Sequence, residues 1–199
     1  MPVTASSSHF QQLLDMDPEE ICSRIPCDYD NTSGTYSLTT WDVEYFIDPT
    51  GQRISAVNPD QSLHEYFVIF LVHYLLNDKE IHTSGEWISE KDMTGGPTFF
   101  RGPHAIPTEW ISERFDNDLD SFKQFCTKHS GEPLDMADAA FCFTLTPNIQ
   151  VSVLYWTGDE DFPAEAKILY DSSLPEHFAL DVIYALAIAV CDRFILKGS

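Results

Sequence analysis

The chain has 199 residues, of which 43% are hydrophobic, so it can bury one sizeable core and we expect a single domain over residues 1–199. Its 11 Lys and Arg residues against 32 Asp and Glu residues give a formal charge of −21. This charge argues against nucleic-acid and membrane-surface partners, because it repels phosphate backbones and anionic lipids. Two interpretations stay open: the protein binds a cationic ligand or partner, or, more simply, the charge serves solubility.

Two further features bear on the compartment of the protein. Residues 1–14 hold neither the basic nor the apolar region of a secretory signal. The longest apolar run, residues 182–190, is shorter than the ~20 residues that cross a bilayer, so we expect a cytoplasmic protein in which this run is a buried helix.

The cysteines include no Cys-x-x-Cys pair, which argues against a disulfide framework, a structural zinc and an iron-sulfur cluster. Most are expected to be small core residues: Cys22, Cys27, Cys126, Cys142 and Cys191.

Apolar residues at helical spacing predict a series of helices. Residues 1–8 are small and polar and are expected to be disordered. The next segments are helical, with Asp17 as an N-cap before Pro18 and with Asn58 as a cap for a long core helix. His177 and Asp181 are predicted to lie one turn apart on the last helix. The predicted helices lie at about 10–14, 18–25, 60–77, 108–115, 118–129 and 175–196.

Alternating residues predict strands in two groups. An N-terminal hairpin at 35–57 turns at Asp48-Pro49-Thr50-Gly51, a sequence that suits a type I turn. A short strand is also expected within 85–90. A three-strand meander follows near the C-terminus, at 139–145, 149–156 and 167–170. Because strands and helices are grouped and do not alternate, the predicted fold is α+β, with an antiparallel sheet packed against about five helices.

The most unusual stretch is the loop at 94–107, in which three glycines and three prolines surround two phenylalanines, an arginine and a histidine. Neither helical nor strand periodicity fits it. Glycine permits close backbone approach and proline fixes φ, so these residues indicate an ordered, rigid loop. Rigid loops of this kind commonly carry binding sites.

The side chains of this loop suggest a planar ligand. His104 lies between two prolines that would fix its imidazole, as an axial ligand of a haem or corrinoid metal or a general base requires. Phe99 and Phe100 would contact a flat macrocycle, and Arg101 would pair with a propionate or phosphate. The structural alternative is that Arg101 forms ion pairs with the acidic residues at 159–161 and that His104 bonds backbone carbonyls.

An acidic turn at Gly158–Pro163 is the second candidate. Asp159, Glu160 and Asp161 would lie together at a strand end, where they would bind a hard cation, activate a water molecule or hold a cationic group. We expect Phe162 and Pro163 to anchor the turn. The alternative is a solvated turn in an already acidic protein.

Two sequence motifs together resemble a known family. They are Gly-Gly-Pro-Thr-Phe-Phe-Arg-Gly-Pro-His at 95–104 and Gly-Asp-Glu-x-Phe-Pro at 158–163. The chain is similar, from about Pro18 to the last helix, to a bacterial and archaeal domain-of-unknown-function family. Some members carry an iron-sulfur segment similar to that of the corrinoid iron-sulfur protein, whose cluster cysteines this chain lacks. The resemblance implies a place in anaerobic one-carbon or corrinoid metabolism and no established activity.

Three functions remain open at this point. The first is a ligand-binding protein, for a corrinoid or other tetrapyrrole such as haem, with the loop and the acidic turn facing each other across a pocket. The second is a metal-dependent enzyme, with His104 as base and the carboxylates of 159–161 holding a divalent cation. The third is an interaction domain that docks on an iron-sulfur partner. The ligand-binding set is Phe99, Phe100, Arg101, His104, Trp156 and Phe162, and the metal ligands are His104 or Asp159, Glu160 and Asp161.

Overall fold

A computed structural model describes residues 6–58 and 64–195, and it confirms an α+β fold with antiparallel sheets. The described residues form eight α-helices, two more than the six predicted ranges, because a single-turn helix arises in the predicted loop and the predicted last helix divides into two. The helices are α1 (Ser7–Asp15), α2 (Pro18–Arg24), α3 (Glu65–Leu75), α4 (Gly96–Phe99), α5 (Glu109–Phe115), α6 (Leu119–Lys128), α7 (Leu174–His177) and α8 (Leu180–Ile195). The strands are β1 (Asp28–Asp30), β2 (Thr35–Thr40), β3 (Val43–Asp48), β4 (Arg53–Ala56), β5 (Trp87–Ile88), β6 (Glu132–Leu134), β7 (Ala139–Thr146), β8 (Ile149–Trp156) and β9 (Glu165–Asp171).

The first sheet has the order β1-β2-β3-β4 and contains the predicted hairpin. The turn between β3 and β4 forms as expected, with the Gly51 N–H donating to Asp48 Oδ1 at 2.7 Å. Strand β1 was not predicted, because Asp-Tyr-Asp carries no apolar alternation. It pairs with β2, where Tyr29 and Tyr36 lie opposite each other with ring centroids 4.6 Å apart.

The second sheet has the order β5-β9-β8-β7-β6 and contains the predicted meander and the predicted strand near residue 87. Strand β8 is buried over Val151–Tyr155, so both faces of the sheet are covered at its centre. The two sheets meet at Trp41, whose backbone N–H donates to the Leu145 carbonyl at 2.8 Å. The Trp41 indole packs against Phe143 at 5.1 Å and Phe194 at 6.4 Å between ring centroids, so one hydrophobic core joins both sheets to α8.

The C-terminal helix differs from the prediction. It is interrupted at Phe178, which is extended (φ −131°, ψ 139°) and buried, so that α7 and α8 are separate helices. His177 and Asp181 therefore lie on different helices and are not a turn apart on one. Burial of the Phe178 ring against Phe70 of α3 outweighs the continuous helical pattern of the sequence. The predicted end of the helix at 196 lies outside the described residues.

The N-terminal segments also differ in detail. Ser7 and Ser8 belong to α1, so the expected disorder at 1–8 is wrong for these two residues, while 1–5 lie outside the described range. The predicted start of the long core helix falls largely on 59–63, which the structure does not describe. The described helix α3 begins at Glu65 with His64 as its N-cap, and His64 Nδ1 accepts from the Tyr66 N–H at 3.2 Å.

The cysteines divide into two groups. Cys126, Cys142 and Cys191 are buried as expected, whereas Cys22 and Cys27 are only partly buried. Among the described residues, no helix combines the length and apolarity that spanning a bilayer would need.

Asp171 holds the end of β9 to the segment that precedes β5. Its carboxylate is buried and accepts hydrogen bonds from the backbone N–H groups of Ser84, Gly85 and Ser173, at 2.8 to 3.0 Å, and from the Ser84 and Ser173 hydroxyls. Burial alone would raise the pKa of Asp171, but these hydrogen bonds outweigh it and lower the pKa to about 2. The ionised carboxylate therefore stabilises the fold.

An Asp171→Asn variant should lose about 2 kcal/mol of unfolding free energy at pH 7, because the amide replaces an acceptor oxygen with a donor facing other donors. The contribution of the native carboxylate is fully present above its unfolded-state pKa of about 4 and is lost as the pH falls towards 2. The difference in unfolding free energy between native protein and variant, measured by urea unfolding, should therefore shrink as the pH falls from about 4 to about 2. Exposed Asp135→Asn serves as the control; a pH-independent difference for Asp171→Asn would contradict the assignment.

Candidate functional site

The loop at 94–107 is ordered, as predicted, but it is not free of regular structure. Gly95, at φ +81°, ends the preceding turn and begins the single-turn helix α4. Gly96 lies so close to the Glu90 carbonyl that a Cβ at this position would overlap the carbonyl oxygen. Arg101 is extended, and a 3₁₀ turn over Gly102–His104 follows it. Close backbone approach, which glycine alone permits, fixes the start of the loop.

Helix α8 supports the other end of this loop. The Tyr184 hydroxyl donates to the Pro103 carbonyl at 3.2 Å. Burial raises the pKa of Tyr184, and the neighbouring Tyr66 raises it further. The phenol therefore keeps the proton that this hydrogen bond requires. The His104 ring stacks on Phe99 with centroids 4.7 Å apart and planes 9° apart, and the Tyr184 ring meets His104 edge-on at 5.4 Å. These contacts hold the imidazole in one orientation.

The loop and α8 together form an open hollow, here called the Arg101–His104 hollow. It has about 860 Å³ of open volume, and its walls include Phe99, Arg101, His104 and Leu180. Both Arg101 and His104 are exposed. No described residue forms an ion pair or hydrogen bond with either side chain, so the expected ion pair between Arg101 and the acidic turn is not found within 6–58 and 64–195.

Phe100 lies on the opposite side of the loop. It lines a narrower cleft of about 380 Å³ between the loop and strand β9, together with Ile106 and residues 164–168. Charged side chains of both signs surround this cleft, including Lys91, Glu109 and Lys167. The loop therefore separates two concave surfaces, and Phe99 and Phe100 serve different ones.

The acidic turn has a fixed internal structure. Asp159 Oδ1 accepts from the backbone N–H groups of Asp161 at 2.8 Å and Phe162 at 2.9 Å, and Asn117 Oδ1 accepts from the Gly158 N–H at 2.6 Å. These bonds anchor the turn. The expected anchoring by Phe162 is wrong, because this ring is 72% exposed.

The predicted site residues therefore fall into three places. Phe99, Arg101 and His104 share the hollow, Phe100 lines the cleft, and the acidic turn contributes no lining residue to either. Trp156 is half-buried at the end of β8, with Lys167 Nζ 5.5 Å from its ring centroid. The described residues contain no group of three or more His, Cys, Asp or Glu side chains arranged to hold a metal ion.

The sequence does not predict two residues of α8 that build the site. Leu180 lines the hollow and precedes the apolar run 182–190, whereas Tyr184 lies within that run and holds the loop through Pro103. Their spacing of four residues places them on one face. The hydroxyl of Tyr184 was the available signal, because a tyrosine in an apolar helix usually directs its polar end towards a partner.

A comparison with protein families matches residues 17–193 to a single family model. The chain belongs to the family described as Domain of unknown function (DUF3786). The match includes the hollow, the cleft and the acidic turn, so all three surfaces lie within the DUF3786 domain. No curated protein and no solved structure matches the chain.

The close approach of Gly96 to Glu90 yields a direct test of this loop. Gly96→Ala should reduce the unfolding free energy by about 2–3 kcal/mol, because the added methyl group overlaps backbone that cannot move independently. Gly85→Ala is the matched control. Gly85 has φ +76° and open space around it, so alanine there should cost only about 1 kcal/mol of backbone strain. If urea unfolding gives the two variants equal losses of unfolding free energy, the loop is not held at Gly96.

Proposed function

We propose that this protein binds a large planar cofactor, a corrinoid or other tetrapyrrole, in the Arg101–His104 hollow. The observation that carries the proposal is the exposed His104 imidazole, fixed by Phe99 and Tyr184 and without a described hydrogen-bond partner. Stacking fixes the ring, and exposure leaves a nitrogen lone pair of the neutral imidazole accessible to a ligand. A metal centre would accept the free nitrogen lone pair.

The geometry of the hollow suits a flat ligand approached from one side. Phe99 and Leu180 offer apolar contact, and the opening is wide. A neutral imidazole provides one lone pair for axial coordination, and its ring orientation is set before the ligand arrives. When bound, the cofactor would supply a metal centre; the chain would supply the axial nitrogen and the apolar contact.

The charge of the protein favours some tetrapyrroles over others. A chain with a formal charge of −21 repels the two propionates of haem and attracts a corrinoid whose cobalt centre carries positive charge. Arg101 offsets this repulsion locally, since it is exposed and can pair with an acidic or amide group at the ligand edge. Together with the family resemblance to corrinoid-linked proteins, the charge makes a corrinoid the first ligand to test.

Titration of the purified protein into hydroxocobalamin, and separately into haem, should shift the visible spectrum of the corrinoid as His104 coordinates the metal. His104→Ala should abolish the shift or weaken binding at least about tenfold. His82→Ala is the matched control, because His82 is also exposed but lies outside the hollow. No spectral shift with either compound, or an unchanged titration for His104→Ala, would contradict the proposal.

The enzyme alternative requires His104 and the carboxylates of Asp159, Glu160 and Asp161 to serve one site. The hollow that His104 lines includes none of the three, and Asp159 already accepts two backbone hydrogen bonds within its own turn. No geometric observation therefore favours this alternative over the first. Elemental analysis of the purified protein separates them, since the enzyme would carry stoichiometric magnesium, manganese or zinc, whereas a tetrapyrrole would bring cobalt or iron.

The interaction-domain alternative is favoured by one observation, the exposure of Phe162. A phenylalanine ring that is 72% exposed on an internally bonded turn, beside Glu160 and Asp161, has the features of an interface residue on an acidic surface. A partner for it would offer an apolar pocket with basic residues around it.

Phe162→Ser should weaken binding to purified corrinoid iron-sulfur protein at least about tenfold in surface plasmon resonance, and it should leave the cobalamin titration unchanged. Phe46→Ser is the control, because Phe46 is an exposed phenylalanine of the first sheet, at 37% exposure. Equal effects of the two substitutions, or no binding by the native protein, would remove this alternative.

A further inference from the structure

Cys22 and Cys27 lie side by side where α2 meets β1. Their Sγ atoms are 3.1 Å apart. Cys22 is in the last turn of α2, and Cys27 directly precedes β1. Between them, Ile25 is fully buried and its N–H donates to the Ile21 carbonyl at 2.9 Å. The turn that brings the two sulfurs together is therefore fixed by the core and by a helix-end hydrogen bond.

The pair is also accessible to small molecules. Both cysteines are only partly buried, and they line a surface concavity of about 270 Å³ with Asp17, Glu19 and Asp28 among its walls. The remaining cysteines, Cys126, Cys142 and Cys191, are buried. A reagent in solution can thus reach the two neighbouring thiols without unfolding the protein.

We propose that Cys22 and Cys27 are a redox modification site that closes reversibly to an intramolecular disulfide, with a low-molecular-weight disulfide as the oxidant. One thiolate attacks the small disulfide, forms a mixed disulfide and releases one small thiolate. The second cysteine then loses its proton and attacks the protein sulfur of the mixed disulfide, which releases the second small thiolate. Two electrons pass from the cysteine pair to the oxidant, and the two thiol protons neutralise the released thiolates.

The surroundings make this reaction slow at neutral pH. Burial raises the pKa of Cys27; the hydrogen bond that it shares with Cys22, the charge of Cys22 and the charge of Asp28 raise it further. Since the thiolate is the attacking species, oxidation should accelerate as the pH rises. The carboxylate of Asp28 disfavours a negative sulfur on Cys27. The other ionisable groups around the pair are acidic side chains and neutral tyrosines: Asp17, Glu19, Tyr29, Tyr36 and Tyr74.

The disulfide would join α2 to the first sheet. It closes a short loop whose geometry is already formed in the reduced protein, so it restricts the unfolded chain with little distortion of the folded one. We expect the oxidised protein to melt a few degrees higher than the reduced protein. Reduction with dithiothreitol should reverse the change.

The test uses the full chain with 2,2′-dithiodipyridine at about pH 8.5, where thiolates form more readily. Native protein should lose two free thiols and carry no pyridyl adduct, and peptide mapping should recover a Cys22–Cys27 linkage. Cys22→Ser and Cys27→Ser should each stop at one stable pyridyl adduct on the remaining cysteine. Cys142→Ser is the control and should behave like native protein.

Three results would overturn the proposal. They are two pyridyl adducts on the native protein, a linkage that maps to another pair of cysteines, and failure of the reagent to consume Cys22 and Cys27 in protein that is folded by circular dichroism. Native-like melting of Cys22→Ser and Cys27→Ser in the reduced state shows that the variants fold. Each variant then reports on the thiol chemistry and not on misfolding.

Discussion

The Arg101–His104 hollow depends on the closeness with which residues 95–104 approach the rest of the chain. At one end Gly96 packs against the Glu90 carbonyl, where any side chain would overlap it. At the other end the Tyr184 hydroxyl of α8 bonds the Pro103 carbonyl. Between these two points the loop spans only a few residues, so its side chains have little freedom. His104 and Phe99 are consequently ordered at the surface, which is the arrangement that preorganised binding requires.

This arrangement links the site to the core. Tyr184 belongs to α8, which packs against α3 and whose Phe194 packs with Trp41 and Phe143 between the sheets. The hollow therefore lies beside a helix that is largely buried in the core. A site on such a helix is held more rigidly than one built on loops alone.

Much of the fold follows from local pattern, and the parts that do not follow depend on long-range packing. The hairpin turn at Asp48, the N-cap at Asp17 and the meander strands were all predictable, because short-range hydrogen bonds and alternation determine them. The break at Phe178 was not, since it arises from burial of that ring against α3. Strand β1 forms only because β2 is available to pair with it.

The loop of the candidate site was predictable from the sequence, but the segment that packs against it was not. Glycine and proline content identified the ordered loop and its exposed His104 and Arg101. The convergence of this loop with the acidic turn was an assumption about tertiary structure, and the hollow is completed by Leu180 of α8 in place of that turn. Sequence separation carries no information about which of two distant segments meets a loop. Only the packing of α8 decides it.

The central claim is that the fixed, exposed imidazole of His104 meets a ligand, and nuclear magnetic resonance of the imidazole nitrogens tests it most directly. The chain has seven histidines, and the His104 signals can be assigned by their loss in His104→Ala. On addition of hydroxocobalamin to ¹⁵N-labelled protein, the account predicts that the His104 nitrogen resonances shift strongly while those of the other histidines stay in place. Unchanged His104 resonances, or shifts confined to other histidines, would contradict it.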